Sequence, residues 1–231
     1  MTCEPWGDAH LDSLRQSLVY YANQLQPLGL ATGTSGNLSV RAVLGDREGM
    51  LITPSGVPYA NLQAADIVPV QFTGSGTASW DHPRAPSSEW LLHQAIYQAR
   101  PEAGAVVHGH PAYATVLAIH HRSIPPIHYM IAAAGGPTIR CAPYATYGTA
   151  ELSHHAQVAL EGRKACLLAH HGLLVLENTL AKAMWLAREV ETLAQQYYMA
   201  LTLGEPPLLA DAEVERVVKK FATYGLNAQS G

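Results

Sequence analysis

The sequence has 231 residues, which suits one domain, and 48% of them are hydrophobic, which is ample material for a core. Only 14% are charged, the formal net charge is −4 and no block of Lys or Arg occurs, so we expect subunit interfaces on the surface and no nucleic-acid partner. The N-terminus lacks the basic start and apolar stretch of a signal peptide, and no apolar run has membrane-spanning length.

Apolar spacing and turn residues predict helices and strands that do not strictly alternate. In the first half they predict a helix over 11–28 closed by Pro27 and Gly29, strands from about Leu38, over 50–53 and over 66–72, a loop over 73–86, and a helix that starts at Ser87 and ends before Pro101. In the second half they predict a strand over 103–110, a helix over 111–121, extended pieces over 124–136 and 139–149, a helix over 150–162, a strand over 164–176 broken at Gly172, a helix from Asn178 to about Leu203, and a last helix from Asp211 to near Gly225. This mixture favours one α/β domain over 1–231, with a mixed or largely antiparallel sheet that helices cover.

The cysteines give no sign of a disulfide framework or of a cysteine zinc site. There are three of them, widely spaced and without a Cys-x-x-Cys pair: Cys3, Cys141 and Cys166. A reducing cytoplasm fits this pattern best.

Two of the twelve histidines stand one residue apart at the end of a predicted strand. Residues i and i+2 of a strand point to the same face, so His108 and His110 project together, with Gly109 between them. Such a pair can chelate a divalent cation such as zinc or bond to the backbone, and the pair alone leaves both open. A second strand end carries His171 beside a glycine, and three protein ligands with an open position are typical of catalytic zinc. The metal interpretation therefore gains support.

The other histidines are expected to have structural roles. His170 is predicted to be a core residue or a support behind the ligands, since it faces away from His171. Surface or packing roles are expected for His10, His82, His93, His120, His121, His128, His154 and His155.

Three short segments combine small hydroxyl residues, glycine and exposed backbone N–H groups: 33–37, 53–56 and 86–89. Each alone is typical of an ordinary turn or of a helix cap. Together they suit a phosphate that is held by neutral donors, since no Walker or Rossmann fingerprint is present. Glu89, in the first turn of a predicted helix, is either a simple helix-start acid or, near a cation, a metal ligand or a base.

These motifs resemble the class II aldolase/adducin family. GTSGNLSVR, TPSG, SSE, HGH and HHG occur in the family's order, and the resemblance extends nearly to the C-terminal FATYGL. IHYMIAAAGG, CAPYATYGT and KAMWLAREVETLAQQYY are similar specifically to the L-fuculose-1-phosphate aldolase branch. The resemblance implies a three-layer α/β/α domain around a mostly antiparallel sheet. It also implies a homotetramer with active sites between subunits.

The resemblance also implies the site residues. One zinc ion (Zn2+) per subunit would be bound by His108, His110 and His171, and Glu89 would be the catalytic glutamate that completes the zinc shell without substrate. Tyr129 matches a catalytic tyrosine contributed by a neighbouring subunit. The positions that match phosphate-binding residues are Thr34, Gly36, Asn37, Ser55, Gly56, Ser87 and Ser88. The positions that match pocket aromatics are Tyr147, Phe221 and Tyr224.

The implied activity is zinc-dependent cleavage of a ketose 1-phosphate. L-fuculose 1-phosphate would give dihydroxyacetone phosphate and L-lactaldehyde. The alternatives are an aldolase for another deoxypentulose 1-phosphate or for methylthioribulose 1-phosphate, a dehydratase or epimerase of the same fold, and a non-catalytic adducin-like scaffold. HGHPAY and Tyr147 depart from the branch in ways that leave the ligands intact but could reshape the aldehyde pocket.

Overall fold

The computed structural model describes residues 8–221, in which six α-helices accompany a single eight-stranded sheet. The helices are α1 (Asp8–Leu25), α2 (Trp90–Ala99), α3 (Ala112–Ile119), α4 (Ala150–Ala159), α5 (Leu180–Leu201) and α6 (Asp211–Phe221). The strands are β1 (Asn37–Leu44), β2 (Arg47–Ile52), β3 (Val68–Gly74), β4 (Thr77–Ser79), β5 (Ala105–Gly109), β6 (Arg140–Ala142), β7 (Ala165–Leu168) and β8 (Gly172–Glu177). Short 3-10 helices cover Tyr59–Asn61, Ala64–Asp66 and Tyr129–Ala134.

The sheet has the strand order β4-β3-β2-β1-β5-β8-β7-β6. Neighbouring strands are antiparallel except for β6 and β7, which run parallel, so the prediction of a largely antiparallel sheet is confirmed. At the centre, Asn37 of β1 lies opposite His108 of β5, and Gly109 of β5 lies opposite Leu173 of β8. The adjacent ends of β1, β5 and β8 thus bring together chain segments from distant parts of the sequence.

Helices cover both faces of this sheet. On one face, Leu18 of α1, Leu117 of α3 and Leu193 of α5 share a core with strand residues such as Val107. On the other face, α2 and α4 pack over the alternate strand residues, and Val106 belongs to that second core. This alternation is the period-2 pattern of a sheet buried on both sides. The predicted three-layer α/β/α architecture is therefore confirmed.

Two predicted helix caps are wrong. Helix α2 begins at Trp90 rather than at Ser87, because the Ser87 N–H donates to the Thr53 carbonyl and ties that residue to the neighbouring turn. Helix α5 is capped by Thr179 rather than by Asn178, since the Thr179 hydroxyl accepts the Lys182 N–H. A backbone hydrogen bond to a neighbouring turn thus sets the start of α2, and a hydroxyl cap sets that of α5.

Two irregular segments contain more structure than predicted. The loop over 73–86 includes strand β4, which pairs with β3 through an irregular register between Phe72 and Gly74. The extended piece over 124–136 contains the 3-10 helix Tyr129–Ala134. The strand over 164–176 does break as expected, and its two halves fold back into the antiparallel β7–β8 pair. The predicted end of the last helix near Gly225 lies outside the described residues, as does Cys3. None of the described helices is both long and apolar enough to cross a membrane.

Candidate metal centre

Four side chains from three parts of the chain converge where β5 and β8 meet. His108 is in β5 and His110 follows its end, while His171 immediately precedes β8 and Glu89 immediately precedes α2. One ligand atom from each of these four residues lies within 4.8 Å of the others. We refer to Glu89, His108, His110 and His171 as the four-residue cluster. It contains all of the metal ligands that the sequence predicts.

The pairwise geometry of the cluster is close. The Nε2 atoms of His108 and His110 are 2.9 Å apart. The two carboxylate oxygens of Glu89 face different imidazoles, with Oε2 3.2 Å from His108 Nε2 and Oε1 3.4 Å from His171 Nε2. His108 is fully buried and Glu89 is 6% exposed, whereas His110 and His171 are half-buried. The cluster thus has a buried floor and an accessible side.

A backbone contact sets the orientation of His108. Its Nδ1 lies 2.8 Å from the Leu173 carbonyl oxygen, which can only accept, so Nδ1 carries the proton and donates. With Nδ1 fixed in this way, the ring directs Nε2 into the cluster. Such a hydrogen bond on the far nitrogen is the usual way in which a protein fixes a metal-binding histidine.

At three of the four residues the environment favours the protonation state that a cation requires, and His108 is the exception. Burial lowers the pKa of His110 and of His171 to about 4, and the neighbouring His108 acts in the same direction. Burial alone would raise the pKa of Glu89, but His108, His171 and Asn37 together hold it well below its usual range. The pKa of His108 is raised, because Glu89 outweighs the effect of burial. A carboxylate and accessible imidazole nitrogens are therefore present at neutral pH.

One buried atom supports the metal interpretation further. Glu89 Oε1 is buried and has no hydrogen-bond partner among the described residues. A buried carboxylate oxygen without a partner is costly unless a cation compensates it. Three imidazole nitrogens and one carboxylate match the donor set of a catalytic zinc site, and related divalent ions accept the same donors. The residues present thus fit a divalent metal ion.

Two glycines allow the strands to approach closely enough to form the cluster. A Cβ on Gly172 would lie 2.3 Å from the Gly109 carbonyl oxygen, and a Cβ on Gly109 would lie 2.4 Å from the Leu30 carbonyl oxygen. Gly172 is therefore required for close packing rather than for the abrupt turn. The left-handed backbone of that turn belongs to His170, with φ of 54°. The prediction that His170 is buried or supports the ligands is wrong, because it is exposed and its Nε2 lies 2.9 Å from that of His121.

The three predicted anion-binding turns lie side by side next to the cluster. The Ser87 N–H donates to the Thr53 carbonyl, and the Ser55 N–H donates to the Ala85 carbonyl. The Thr53 hydroxyl accepts the Leu38 N–H at 3.1 Å, which joins the second turn to the strand that follows the first. The backbone of Gly36 lies against that of His108, since a Cβ there would be 2.9 Å from the His108 carbonyl oxygen.

The predicted phosphate residues differ in exposure. Those exposed to solvent are Thr34, Ser55, Gly56 and Ser88, and Gly36 is half-buried. Ser87 is buried and its hydroxyl accepts the Glu89 N–H at 3.3 Å. Asn37 is also buried, and its amide Nδ2 donates to Glu89 Oε2 at 3.0 Å. The structure therefore places Asn37 directly against the cluster.

The predicted aromatic residues belong to other segments than those of the cluster. Tyr129 begins the 3-10 helix Tyr129–Ala134, is 52% exposed, and its ring lies 4.7 Å from that of His128. Tyr147 is exposed, and its neighbour Gly148 lies against the Ser88 carbonyl. Phe221, the last described residue, packs against the core. Tyr224 lies outside the described residues.

Sequence reasoning missed the importance of His93. It was expected to have an ordinary packing role, but it is fully buried and its Nε2 lies 2.6 Å from Asn37 Oδ1. Its position four residues after Glu89, on the same face of α2, was the signal that could have identified it.

Comparisons with known proteins agree with this geometry. The family model described as class II aldolase and adducin N-terminal domain matches residues 16–198. A 5-methylthioribulose-1-phosphate/5-deoxyribulose-1-phosphate aldolase of Rhodospirillum rubrum is 54% identical over 94% of this chain and 95% of its own. An L-fuculose phosphate aldolase of Escherichia coli K12 is 49% identical over 94% of this chain and 98% of its own.

A solved structure gives the same result at the level of the fold. It is that of an L-fuculose 1-phosphate aldolase, with a TM-score of 0.84 and 42% identity, over 90% of this chain and 96% of the other. The residues that the family model matches include the four-residue cluster and the three turns beside it. The chain is therefore an aldehyde-lyase that belongs to the class II aldolase and adducin N-terminal domain family.

Proposed function

We propose that this class II aldolase acts on a sugar phosphate, a ketose 1-phosphate, which it cleaves to dihydroxyacetone phosphate and a short aldehyde. The observation that carries the proposal is the position of the four-residue cluster beside three turns rich in neutral donors. A cluster able to hold a divalent ion suits the reacting carbons, and the turns suit the phosphate. We also propose that residues 1–231 form a single domain of this family.

The cleaved bond joins C3 and C4 of the ketose. The C4 hydroxyl loses its proton and becomes the aldehyde, and the bonding electrons remain on C3 and extend into the C2 carbonyl. His108, His110 and His171 would hold a divalent ion, and Glu89 would complete its shell in the absence of substrate. The ion would supply Lewis-acid chemistry at the oxygens on C2 and C3. Zinc is the proposed ion, and metal analysis of the protein as purified would distinguish it from manganese.

Glu89 is proposed to move the proton at C3. Its carboxylate is ionised, lies at the cluster and has one oxygen without a hydrogen-bond partner among the described residues. Tyr129 is proposed to serve as acid or base at the C4 oxygen. Its 52% exposure in one chain supports a role in a site that a second subunit completes.

The turns would hold the phosphate and so position the reacting carbons. The proposed donors are Thr34, Gly36, Asn37, Ser55, Gly56, Ser87 and Ser88. Binding energy from the phosphate, which does not react, would then orient the bond that breaks. A Schiff-base mechanism has little support, because none of the lysines is buried and Lys164 pairs with Glu177.

Three candidate substrates are supported by the relatives. L-fuculose 1-phosphate is the substrate that the sequence motifs imply, and an L-fuculose phosphate aldolase is 49% identical. Methylthioribulose and deoxyribulose 1-phosphates are favoured by the 54% identity with the Rhodospirillum rubrum aldolase. If L-fuculose 1-phosphate is the preferred substrate, the proposed role of the protein is in fucose catabolism.

A panel of three ketose 1-phosphates tests the proposal. L-fuculose, 5-deoxyribulose and methylthioribulose 1-phosphates would be supplied to metal-loaded and to chelator-treated protein, with dihydroxyacetone phosphate as the measured product. We expect cleavage of at least one substrate, its loss on chelation and its return with zinc. Isomerised or dehydrated products would favour an epimerase or dehydratase, and a folded protein that binds no metal would favour a scaffold.

Assembly and location are proposed with the function. Exposed aromatic residues, including Tyr144 and Tyr147, support a homotetramer with active sites between subunits. Light scattering coupled to size-exclusion chromatography would give the oligomeric state. Cys141 and Cys166 are free, which fits a reducing cytoplasm, and cell fractionation would test that location.

A further inference from the structure

Five buried polar side chains form one continuous line of hydrogen bonds beneath the metal cluster. Their order is Glu89, Asn37, His93, Ser39 and Tyr97. Asn37 and Ser39 belong to strand β1, His93 and Tyr97 belong to α2, and Glu89 immediately precedes α2. All five are at most 6% exposed. We refer to them as the buried polar line. No role in the proposed reaction has so far been given to His93, Ser39 or Tyr97.

We propose that His93, in the tautomer that carries its proton on Nε2, is a positioning residue that fixes the Asn37 amide and, through it, the Glu89 carboxylate. The consequence for catalysis rests on the proposed function, whereas the tautomer and the orientation of Asn37 do not. The His93 ring hydrogen-bonds to Asn37 and Ser39 rather than to a side chain of the cluster, so its effect passes through Asn37.

The periodicities of the two elements explain why the line forms. Asn37 and Ser39 are two residues apart in β1 and project from the same face. His93 and Tyr97 are four residues apart in α2, and both follow the stripe that starts at Glu89. The helix packs against the strand so that the two stripes interlock.

The distances show a tight line. Asn37 Nδ2 is 3.0 Å from Glu89 Oε2, and Asn37 Oδ1 is 2.6 Å from His93 Nε2. His93 Nδ1 is 2.6 Å from Ser39 Oγ, and that hydroxyl is 2.8 Å from the Tyr97 hydroxyl. Each distance lies at or below the usual length of a protein hydrogen bond.

Only one arrangement of protons satisfies every member. The ionised carboxylate of Glu89 can only accept, so Asn37 turns its NH2 group toward Glu89 and its oxygen toward His93. That oxygen also can only accept, so His93 Nε2 must carry a proton and donate. The fixed carboxylate at one end thus determines the tautomer of a histidine two side chains away.

The remaining bonds follow from the neutral state of His93. Burial lowers its pKa to about 3, which leaves Nδ1 without a proton. Ser39 therefore donates its hydroxyl proton to Nδ1, and the Tyr97 hydroxyl donates to Ser39. The bonds all run in one direction, from Tyr97 toward Glu89, and bonds aligned in this way strengthen one another.

This arrangement constrains the catalytic carboxylate. Without the Nε2 donor, the Asn37 amide could rotate and present its oxygen to Glu89, which would repel Oε2. Removal of a hydrogen-bond partner behind a metal ligand commonly costs about 10- to 100-fold in metal affinity or activity. We expect a loss of this size when the Nε2 donor is lost.

A matched pair of substitutions isolates that donor. The amide of Gln extends about as far as Nε2 of histidine, so His93→Gln can still donate to Asn37. The amide of Asn extends only about as far as Nδ1, so His93→Asn keeps a partner for Ser39 but loses the bond to Asn37. Tyr97→Phe is the control, because it removes a buried hydroxyl from the far end of the line and leaves the bond to Asn37 in place.

The kinetic outcome is specific. With metal loaded and with the best ketose 1-phosphate of the panel, we expect His93→Asn to lower kcat about 10- to 100-fold. The KM should change much less than kcat, because six of the seven proposed phosphate residues are untouched and only Asn37 is affected. His93→Gln should recover most of the loss, and Tyr97→Phe should resemble the unsubstituted protein. Equal activity in His93→Asn and His93→Gln would overturn the positioning role.

A second measurement needs no activity. Histidines labelled with 15N in the metal-free protein show by NMR which ring nitrogen carries the proton, and the signal that disappears in His93→Gln identifies His93. We expect the Nε2–H form from pH 6 to 8. An Nδ1–H form or a charged ring would overturn the inference. If the protein cleaved no ketose 1-phosphate, the proposed function would fail while this spectrum still decided the tautomer.

Discussion

Gly172 lies directly against the backbone of Gly109, and a Cβ on Gly172 would be 2.3 Å from the Gly109 carbonyl oxygen and 2.8 Å from the His110 ring. This contact couples the two strands that deliver the histidines of the cluster. The spacing of His110 and His171 therefore depends on a residue that has no side chain.

We predict that Gly172→Ala separates these strands. The new methyl group should destabilise the protein by about 1–3 kcal/mol, as overpacking of a tight site does. Because the neighbouring His171 would move with the strand, metal affinity should fall as well. Thermal unfolding and a chelator competition would measure the two effects.

Gly162→Ala is the control for that substitution. Gly162 has φ of +64° and open space around its Cβ position, so alanine there meets only a backbone penalty of about 1–2 kcal/mol. It should reduce stability without changing metal affinity. Equal metal affinity in Gly172→Ala and Gly162→Ala would contradict the proposed coupling.

Glu191 caps the helix that follows His110. Its buried carboxylate in α5 accepts the N–H groups of Tyr113 and Ala114 at 2.9 and 2.8 Å. We predict that Glu191→Gln destabilises the protein by about 1–3 kcal/mol, because an amide can accept only one of these bonds and places an NH2 group against the other donor. Urea unfolding would measure the change.

Glu205→Gln offers a matched comparison. Glu205 pairs with Arg122 on the surface, and exposed ion pairs contribute only about 0–1 kcal/mol. Glu205→Gln removes the same charge and should therefore change the free energy of unfolding little. Similar losses of unfolding free energy in Glu191→Gln and Glu205→Gln would contradict the stabilising role of the Glu191 cap.

Replacement of Glu89 by glutamine separates metal binding from proton transfer. The three histidines and the amide oxygen should still hold the ion, but an amide cannot take up or deliver the proton at C3. We predict that kcat falls about 100- to 10,000-fold while the metal content stays at one ion per subunit. Activity and elemental analysis would be measured on the same sample, and near-normal kcat would remove Glu89 from the proton-transfer role.

The metal-free protein should lose stability in mild acid. Imidazoles of the unfolded chain titrate near 6.5, whereas burial lowers the pKa of His110 and His171 to about 4 and that of His93 to about 3. Between these values the unfolded chain binds more protons, so the free energy of unfolding should decrease as the pH falls from about 6.5 to about 4.

Two other groups act outside that window. The raised pKa of His108 gives a contribution that is complete below pH 6.5 and is lost as the pH rises. The lowered pKa of Glu89 gives a contribution that is lost only in stronger acid. Denaturant unfolding at pH 7, 6 and 5 would test the expected decrease, and His110→Asn should reduce its slope by up to one proton. Greater stability at pH 5 than at pH 7 would refute this assignment.

Much of the fold could be predicted because local patterns and global packing agree. The apolar run of β5, which is buried throughout, and the three-to-four spacing of α1 identify elements without knowledge of their partners. The N-caps Glu89 and Thr179 could not be predicted as well, since neighbouring hydroxyl or acidic residues compete for the same N–H groups. Strand β4 is short and depends on pairing with β3, which its own sequence does not reveal.

The ligands were easier to identify than their supports. His108, His110 and His171 stand beside glycines at predicted strand ends, and this pattern is visible in the sequence alone. His93 has no such signal, because its importance arises from contacts with Asn37 and Ser39, which are more than fifty positions away in the sequence. The exposure of His170 was missed because its left-handed backbone turns the side chain away from the strand pattern.

The origin of the ligands on separate strands links metal capture to folding order. His108 and His171 meet only after β5 has paired with β8, and Glu89 joins them only when α2 has docked on β1. A chain that lacks these long-range contacts holds no more than a fragment of the site. Metal should therefore bind late in folding, and it should bind the completed structure in preference to partly folded chains. At a free metal concentration one hundred times Kd, binding would add about 2.7 kcal/mol to the free energy of unfolding. In a cell, the supply of metal would thus help to determine how many copies of the chain persist.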